Sequence, residues 1–313
     1  MEKFKQLQKI KELYEKGGNI IEYLKSIDNN DTNTTEDIMI SYDFQAGSYI
    51  QKFSQRQKLN RNYCKALAML IDNIEGVESL VEVGVGEATT LTTVIKNLGN
   101  KPSAIFGFDI SWSRLNFAQA LLKDFSINNV TLFTANLFEI PLLDNSVDVV
   151  YTSHSIEPNG GREEEALKEL YRIARKYLIL LEPSFEFADD EAKARMKKHG
   201  YVTELYATAV KLGYTIVEHR LFDYSANPLN VNPTGLIIIE KKATDVNSSH
   251  LVCPVSHTEL VTHGESLLYS KESLLAYPVI NKIPCLLKEN AVLAAHLLTD
   301  YEEYKKAHGI SFK

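Results

Sequence analysis

An α/β fold, with a parallel sheet covered by helices on both faces, is the architecture this chain predicts for its middle part. Three observations predict it. Short apolar runs alternate with amphipathic helical stretches from about residue 79 to residue 241. The first of those runs ends in a glycine turn, Glu82-Val83-Gly84-Val85-Gly86. The second ends in a lone carboxylate, Asp109. In open α/β sheets ligands bind outside the carboxyl ends of the strands, which is where both features fall.

The pattern predicts strands near 79–83, 104–109, 130–134, 147–152 and 177–182, and helices near 87–98, 113–124, 161–175 and 202–213. Two further strands are expected at Thr215 to Phe222 and Gly235 to Glu240. Between them Asp223 to Thr234, with two prolines and three asparagines, reads as a loop.

The glycine turn brings backbone N–H groups close to a ligand because glycine has no side chain in the way. A dinucleotide turn wants Gly-x-Gly-x-x-Gly/Ala after apolar residues, and the last of those positions would here be Thr89. Glu82, two residues before the first glycine, suits a ligand with a cation near the turn. Asp109 can accept hydrogen bonds from both hydroxyls of a ribose. No Lys or Arg sits in the turn to meet a phosphate. On these residues the chain resembles the class I S-adenosylmethionine-dependent methyltransferases, over roughly Leu80 to Lys241. Glu82, Gly84 and Gly86 match that family's first motif, Asp109 matches its ribose acid, and Ala88 stands where a third glycine is common. The resemblance implies a seven-stranded Rossmann-like sheet whose late strands form an antiparallel edge. It also implies S-adenosylmethionine as cofactor, with Asn136, after the third strand, meeting the adenine, and Ser153 at the end of the fourth strand adding a further contact. On the residues alone, Asn136 reads equally as a turn residue.

The segment Tyr151-Thr-Ser-His-Ser-Ile-Glu-Pro-Asn-Gly-Gly161 leaves the fourth strand beside this site. His154 has the titration range of a general base for a hydroxyl, and Glu157 is placed to orient it or to bind substrate. The other reading is a loop that both residues stabilise by hydrogen bonds to backbone. The loop lacks the Asp/Asn-Pro-Pro-Tyr of amino-methylating enzymes and reads Ser-Ile-Glu-Pro instead. The expected function is therefore methyl transfer to oxygen on a small polar metabolite or sugar. A non-catalytic cofactor-binding partner module and an RNA methyltransferase stand as alternatives.

Four regions are expected. Residues 1–75 form a helical cap, with helices near 1–27 and 48–74 around a polar loop from Asp28 to Thr35. Within it, Ser41 to Ile50 is rich in aromatic and polar groups and is read either as part of a lid over the cofactor or as ordinary packing. Residues 76–243 form the cofactor domain, 248–290 a small β-rich domain and 291–313 a C-terminal helix. The small domain, Leu251 to Leu287, is similar to the tRNA-methyltransferase activator subunit family, which shares a Cys-Pro-x-Cys start and a Tyr-Pro-Ile…Gly-Ile-Pro close. Here Ser256 replaces the second cysteine and Asn281 the glycine, and Cys253, His257, His263 and Cys285 have irregular spacing for zinc, so no metal is expected.

Bulk composition fits a globular protein, with 44% hydrophobic and 24% charged residues. A net charge of −7 disfavours a broad nucleic-acid footprint. Three scattered cysteines do not form a disulfide framework. No long apolar run suggests a membrane span or a signal peptide. The sequence reading is a cytoplasmic protein with a small-molecule partner and, through the small domain, a homo-oligomer.

Overall fold

The computed structural model describes residues 2–29, 32–225 and 232–312. After a 3-10 turn at Lys3–Gln6 come five helices: α1 (Leu7–Glu15), α2 (Ile20–Asp28), α3 (Thr35–Phe44), α4 (Ser48–Gln55) and α5 (Gln57–Asp72). The central unit runs β1 (Ser79–Val83), α6 (Thr89–Asn97), β2 (Ala104–Asp109), α7 (Trp112–Asp124), β3 (Val130–Thr134) and β4 (Val147–Ser153). It continues with α8 (Glu163–Ile173), β5 (Ala174–Pro183), α9 (Asp190–His199), α10 (Leu205–Lys211), β6 (Thr215–Leu221) and β7 (Thr234–Glu240). The tail holds β8 (Val261–His263), β9 (Leu267–Ser270), β10 (Leu275–Ile280), β11 (Ile283–Pro284), β12 (Val292–Leu293) and α11 (Tyr301–Ala307).

The main sheet has seven strands in the order β3-β2-β1-β4-β5-β7-β6. β7 is antiparallel to both β5 and β6, and β1 to β5 are parallel. The strand order reverses between β1 and β4, so the crevice at their carboxyl ends is where a ligand belongs. Because side chains alternate along a strand, β1 feeds two cores. Val81 and Val83 pack with α8 and α10 on one face, and Leu80 packs with α5, α6 and α7 on the other. Glu82 falls on the same face as Leu80, a carboxylate in an apolar layer.

The seven strands and the helices between them lie within a few residues of the positions read from the sequence. Four differences have physical causes. The first expected helix is interrupted at Gly17 and Gly18, with Gly17 at φ +76°. The second divides at Arg56. α3 was not expected as a helix. It buries Asp37 and Ser41 with Ile38 and Ile40, so its burial follows no apolar period, and a reciprocal capping box between Thr34 and Asp37 starts it. α9 was not expected because only Ala192 and Met196 are buried. Its end groups define it instead: Asp189 accepts from the Ala192 N–H, acidic residues fill the first turn, basic ones the last, and Gly200 closes it at φ +68°. In the loop expected at 223–234, residues 226–231 lie outside the described residues.

The tail packs on its own chain. The Leu286 N–H donates to the Thr134 carbonyl oxygen at 3.2 Å and to its hydroxyl at 3.0 Å, a single bridge at the β3 edge of the sheet. Val252 N–H donates to the Pro141 carbonyl at 3.0 Å. Cys253, Tyr277 and Leu286 are fully or almost fully buried and join the core formed by Val81, Phe108 and Leu178. An open edge strand is an aggregation template, and the tail covers this one. Instead of one helix over 291–313, the chain pairs β12 with β10 and confines the helix to α11. Burial raises the Cys253 thiol's pKa, but hydroxyls of Ser256, Ser273 and Tyr277 outweigh it and leave the group near 7. Among the described residues, no group of three His, Cys, Asp or Glu side chains is placed to hold a metal.

Leu286→Ala should cost about 2–5 kcal/mol of stability, the range for emptying a fully buried leucine site. Urea unfolding checks it, and an unchanged midpoint would show that the tail is not part of the common core.

Candidate functional site

At the carboxyl ends of β1, β2 and β4 lies a cavity of about 940 Å³, counting the space open to solvent. Its floor is the turn after β1. Gly84 has φ +63°, and a β-carbon there would sit 2.4 Å from the Ser155 β-carbon, so only glycine allows the β1 and β4 loops to meet. At Gly86, φ +54°, a β-carbon would lie 2.7 Å from an Arg114 guanidinium nitrogen. Ala88, where a third glycine was considered, takes the same left-handed backbone at φ +56°.

Glu82 is 3% exposed and accepts a hydrogen bond from the Tyr151 hydroxyl at 2.7 Å. Burial pushes its carboxyl up to about 8, against the partial relief given by Tyr151. A cationic ligand group beside it would restore the charged form. The Asp109 oxygens accept from the Gly86 N–H at 2.9 Å and the Ser111 N–H at 2.9 Å. Each oxygen keeps further accepting capacity for a hydroxyl. The Asn136 side-chain oxygen accepts from the Phe138 N–H at 3.2 Å, the Asx-turn role, while the residue also lines the cavity. Ser153 lines the cavity too and hydrogen-bonds the Tyr63 hydroxyl at 2.8 Å.

His154 has a left-handed backbone, φ +56°. Its Nδ1 is 3.0 Å from Glu157 Oε2, and its Nε2 is 3.0 Å from the Thr234 hydroxyl. Burial lowers its pKa, but the hydrogen bond and charge of Glu157 more than offset that, and the net shift is upward. The loop that carries both residues is held by Glu182, a buried carboxylate at the end of β5. It accepts from the N–H groups of Ser155 (3.0 Å), Ile156 (3.2 Å) and Glu157 (3.1 Å). All eight residues expected at the site line the cavity except Glu157, which stands behind His154.

Several functional positions were not legible beforehand. Thr35, Ile38, Tyr42 and Tyr49 of the cap line the cavity. Helix α3 lies across its mouth and is anchored at both ends. At one end Asn33 donates to the Pro158 carbonyl at 2.9 Å, and Arg162 donates to the Thr35 hydroxyl at 3.2 Å. At the other, Asp43 accepts from the Ser111 hydroxyl (2.7 Å) and from the Ser113 N–H (3.1 Å) and hydroxyl (3.0 Å). Glu87, from the glycine turn, accepts from the N–H groups of Gly47 (2.9 Å), Tyr49 (3.3 Å) and Ile50 (2.6 Å) and so caps α4. The aromatic and polar stretch Ser41 to Ile50 was a signal for Tyr42 and Tyr49. Glu87, Asp43, Arg114 and Glu182 carried none, because their partners are distant in sequence.

Residues 80–177 match the family described as "Methyltransferase domain". The match covers about a third of the chain, from β1 into β5. The residues at the site fit S-adenosylmethionine as cofactor. The two glycines make a cradle, Glu82 is poised for an ammonium group, and the buried Ser155 hydroxyl and Arg114 Nε have no hydrogen-bond partner among the described residues. Among solved structures, one similar to this chain is a SAM-dependent methyltransferase from Aquifex aeolicus (18% identity, 61% of this chain, 97% of that chain, TM-score 0.45). Another is a complex of a methyltransferase activator with a methyltransferase from Haloferax volcanii (14%, 62%, 93%, 0.49). A third is magnesium protoporphyrin IX methyltransferase from Synechocystis with bound SAH (15%, 64%, 98%, 0.48). No curated protein matches the chain. No helix among the described residues is long and apolar enough to cross a membrane.

The raised pKa of Glu82 in the methyltransferase domain has a stability signature. A group whose pKa rises on folding binds more protons in the folded state. Its contribution is fully present below its unfolded value of 4.5 and is lost as pH rises through about 8. Without ligand, wild-type stability from denaturant unfolding should therefore fall between pH 5 and pH 8 relative to Glu82→Gln. Parallel curves would mean that Glu82 is already ionised in the folded protein.

Proposed function

We propose that the protein transfers a methyl group to a hydroxyl of a small polar metabolite or sugar. The observation that carries this reading is the position of α3, which spans the cavity and is tied to the β4 loop on one side and to α7 on the other. A cleft partly covered by a helix suits a small acceptor and, once closed over it, would keep water from the reaction. Glu82 holds the ammonium of the cofactor's amino-acid end, Gly84 and Gly86 allow its backbone approach, Asp109 takes the ribose hydroxyls, and Asn136 and Ser153 line the remainder. Bound S-adenosylmethionine supplies an electrophilic methyl carbon with a neutral sulfide as leaving group.

The protein's part is alignment and proton removal. Glu157 accepts a hydrogen bond from the Nδ1–H of His154, which fixes the tautomer whose lone pair is on Nε2. In that tautomer the Thr234 hydroxyl, 3.0 Å away, is the group that donates to Nε2. The acceptor hydroxyl takes the place of Thr234 and gives its proton to Nε2, while the oxygen's electron pair forms the new bond to carbon. Glu182, by fixing three successive N–H groups of the loop, keeps His154 and Glu157 in register. The tail's similarity to the activator subunit supports a bracing role in cis, since Leu286 grips Thr134 two residues before Asn136.

Calorimetric titration tests the cofactor reading. S-adenosylmethionine should bind in the micromolar range and NAD should not, with affinity lost in Asp109→Ala. Binding should also release protons near pH 7, detected in buffers of different ionisation enthalpy, because an ammonium group drives Glu82 to its charged form. Absence of binding by folded protein would overturn the reading.

Methyl transfer to hydroxyl acceptors should rise with pH through a value above 6.5, because His154 is raised and must be deprotonated to act. Glu157→Gln should move that inflection down, since Glu157 causes the rise. His154→Gln should lower kcat by about 10²–10⁴-fold. An unaltered pH profile in both variants would remove His154 from proton transfer.

A further inference from the structure

One charged side chain at the cavity has no place in the assignments above. Arg114 is 7% exposed and lines the cavity from the first turn of α7. A cation at a helix N-terminus sits against the macrodipole, so the helix itself does not favour its position. Its nearest carboxylate oxygen, Asp109 Oδ2, is 3.9 Å away, an ion-pair distance but too long for a hydrogen bond. Its Nε is buried with no hydrogen-bond partner among the described residues. Glu87 is near, but both of its oxygens are committed to the N–H groups of α4. A desolvated guanidinium with an unfilled donor is expensive unless a ligand completes it.

Its neighbours indicate which ligand oxygens those would be. The guanidinium lies over Gly86, where a β-carbon would collide with it, and beside Asp109. Its other faces meet the rings of Tyr42 (5.0 Å to the centroid) and Tyr49 (4.4 Å) from the cap. The same group therefore touches the ribose acid, the glycine turn and the cap.

We propose that Arg114 is a cofactor-binding residue that donates to the ribose oxygens beside Asp109 and couples occupancy of the sugar site to closure of the cap through Tyr42 and Tyr49. The inference rests on the cofactor orientation given above. Asp109 accepts from a vicinal hydroxyl while Arg114 donates to its oxygen, so both hydrogen-bonding capacities of the sugar are read. A lysine cannot replace the planar fork of donors.

The test uses full-length protein, S-adenosylhomocysteine and its 2′-deoxyribose analogue, with affinities from calorimetry and hydrogen exchange over residues 35–50. Wild type should bind the homocysteine product and disfavour the deoxy analogue by about tenfold, as expected for losing a charge-assisted hydrogen bond. Arg114→Met should weaken S-adenosylhomocysteine about tenfold and shrink the discrimination to the part that Asp109 supplies, a non-additivity that assigns the remainder to this residue. Arg114→Lys should not restore it. Ligand should slow exchange in α3 and at Gly47 to Ile50 in wild type, and not in Arg114→Met. Unchanged affinity and discrimination in a folded Arg114→Met sinks this inference alone. Equal binding of the two ligands by wild type overturns it without any variant. If wild type binds neither, the cofactor reading falls with it.

Discussion

Two carboxylates exchanged between the cap and the sheet hold this site together. Glu87 reaches from the glycine turn to the amino end of α4, and Asp43 reaches from α3 to the amino end of α7. Each satisfies N–H groups that a helix start leaves unpaired, and each places a negative charge where the helix dipole favours it. The two contacts run in opposite directions between the same two units. Neither unit can shift without exposing the other's helix end. This is why Tyr42 and Tyr49 stand over the cavity rather than on an outer surface.

Around that cleft, charges are kept under unusual conditions. Glu82 is embedded in the apolar layer formed by β1 and β4 and is held by Tyr151, with its proton retained by burial. Arg114 is buried with its charge incompletely matched. Glu182 is also buried and raised by desolvation, yet it meets three N–H groups of one turn. Glu182 is thus complete as a structural device. Arg114 keeps a buried donor without a partner among the described residues, and Glu82 keeps its proton, so both differ from a finished bracing group.

The tail adds a second layer of support. It covers the β3 edge through a single bridge and contributes Cys253, Tyr277 and Leu286 to the core on the α8 face. The same surface touches α7, where the Asn281 side chain donates to Asn116 at 2.7 Å and the Trp112 ring N–H donates to the Ile280 carbonyl at 3.4 Å. β3 and α7, which flank the cavity, are therefore gripped from outside. Removing an edge liability and steadying the site are done by one contact surface.

The sequence by itself determined the sheet, its crossover helices and the turn that opens the site. Apolar periodicity, Gly84, Gly86 and the strand-end acids are local signals, and each is written within a few adjacent residues. It also pointed to Asp109, Glu82 and the loop around His154, because strand ends in such a sheet converge on one crevice. It did not reveal α3 or α9. The first buries polar and apolar residues alike, and the second is defined by its caps rather than by an apolar stripe. Tertiary structure alone decided the roles of Glu87, Asp43, Arg114 and Glu182. Glu87 meets Gly47 across 40 residues, Asp43 meets Ser111 across 68, and Glu182 meets Ser155 across 27. A carboxylate or guanidinium looks the same in a sequence whether it faces water or a helix end. Only the folded chain settles which, because the energy of a charge is set by what surrounds it.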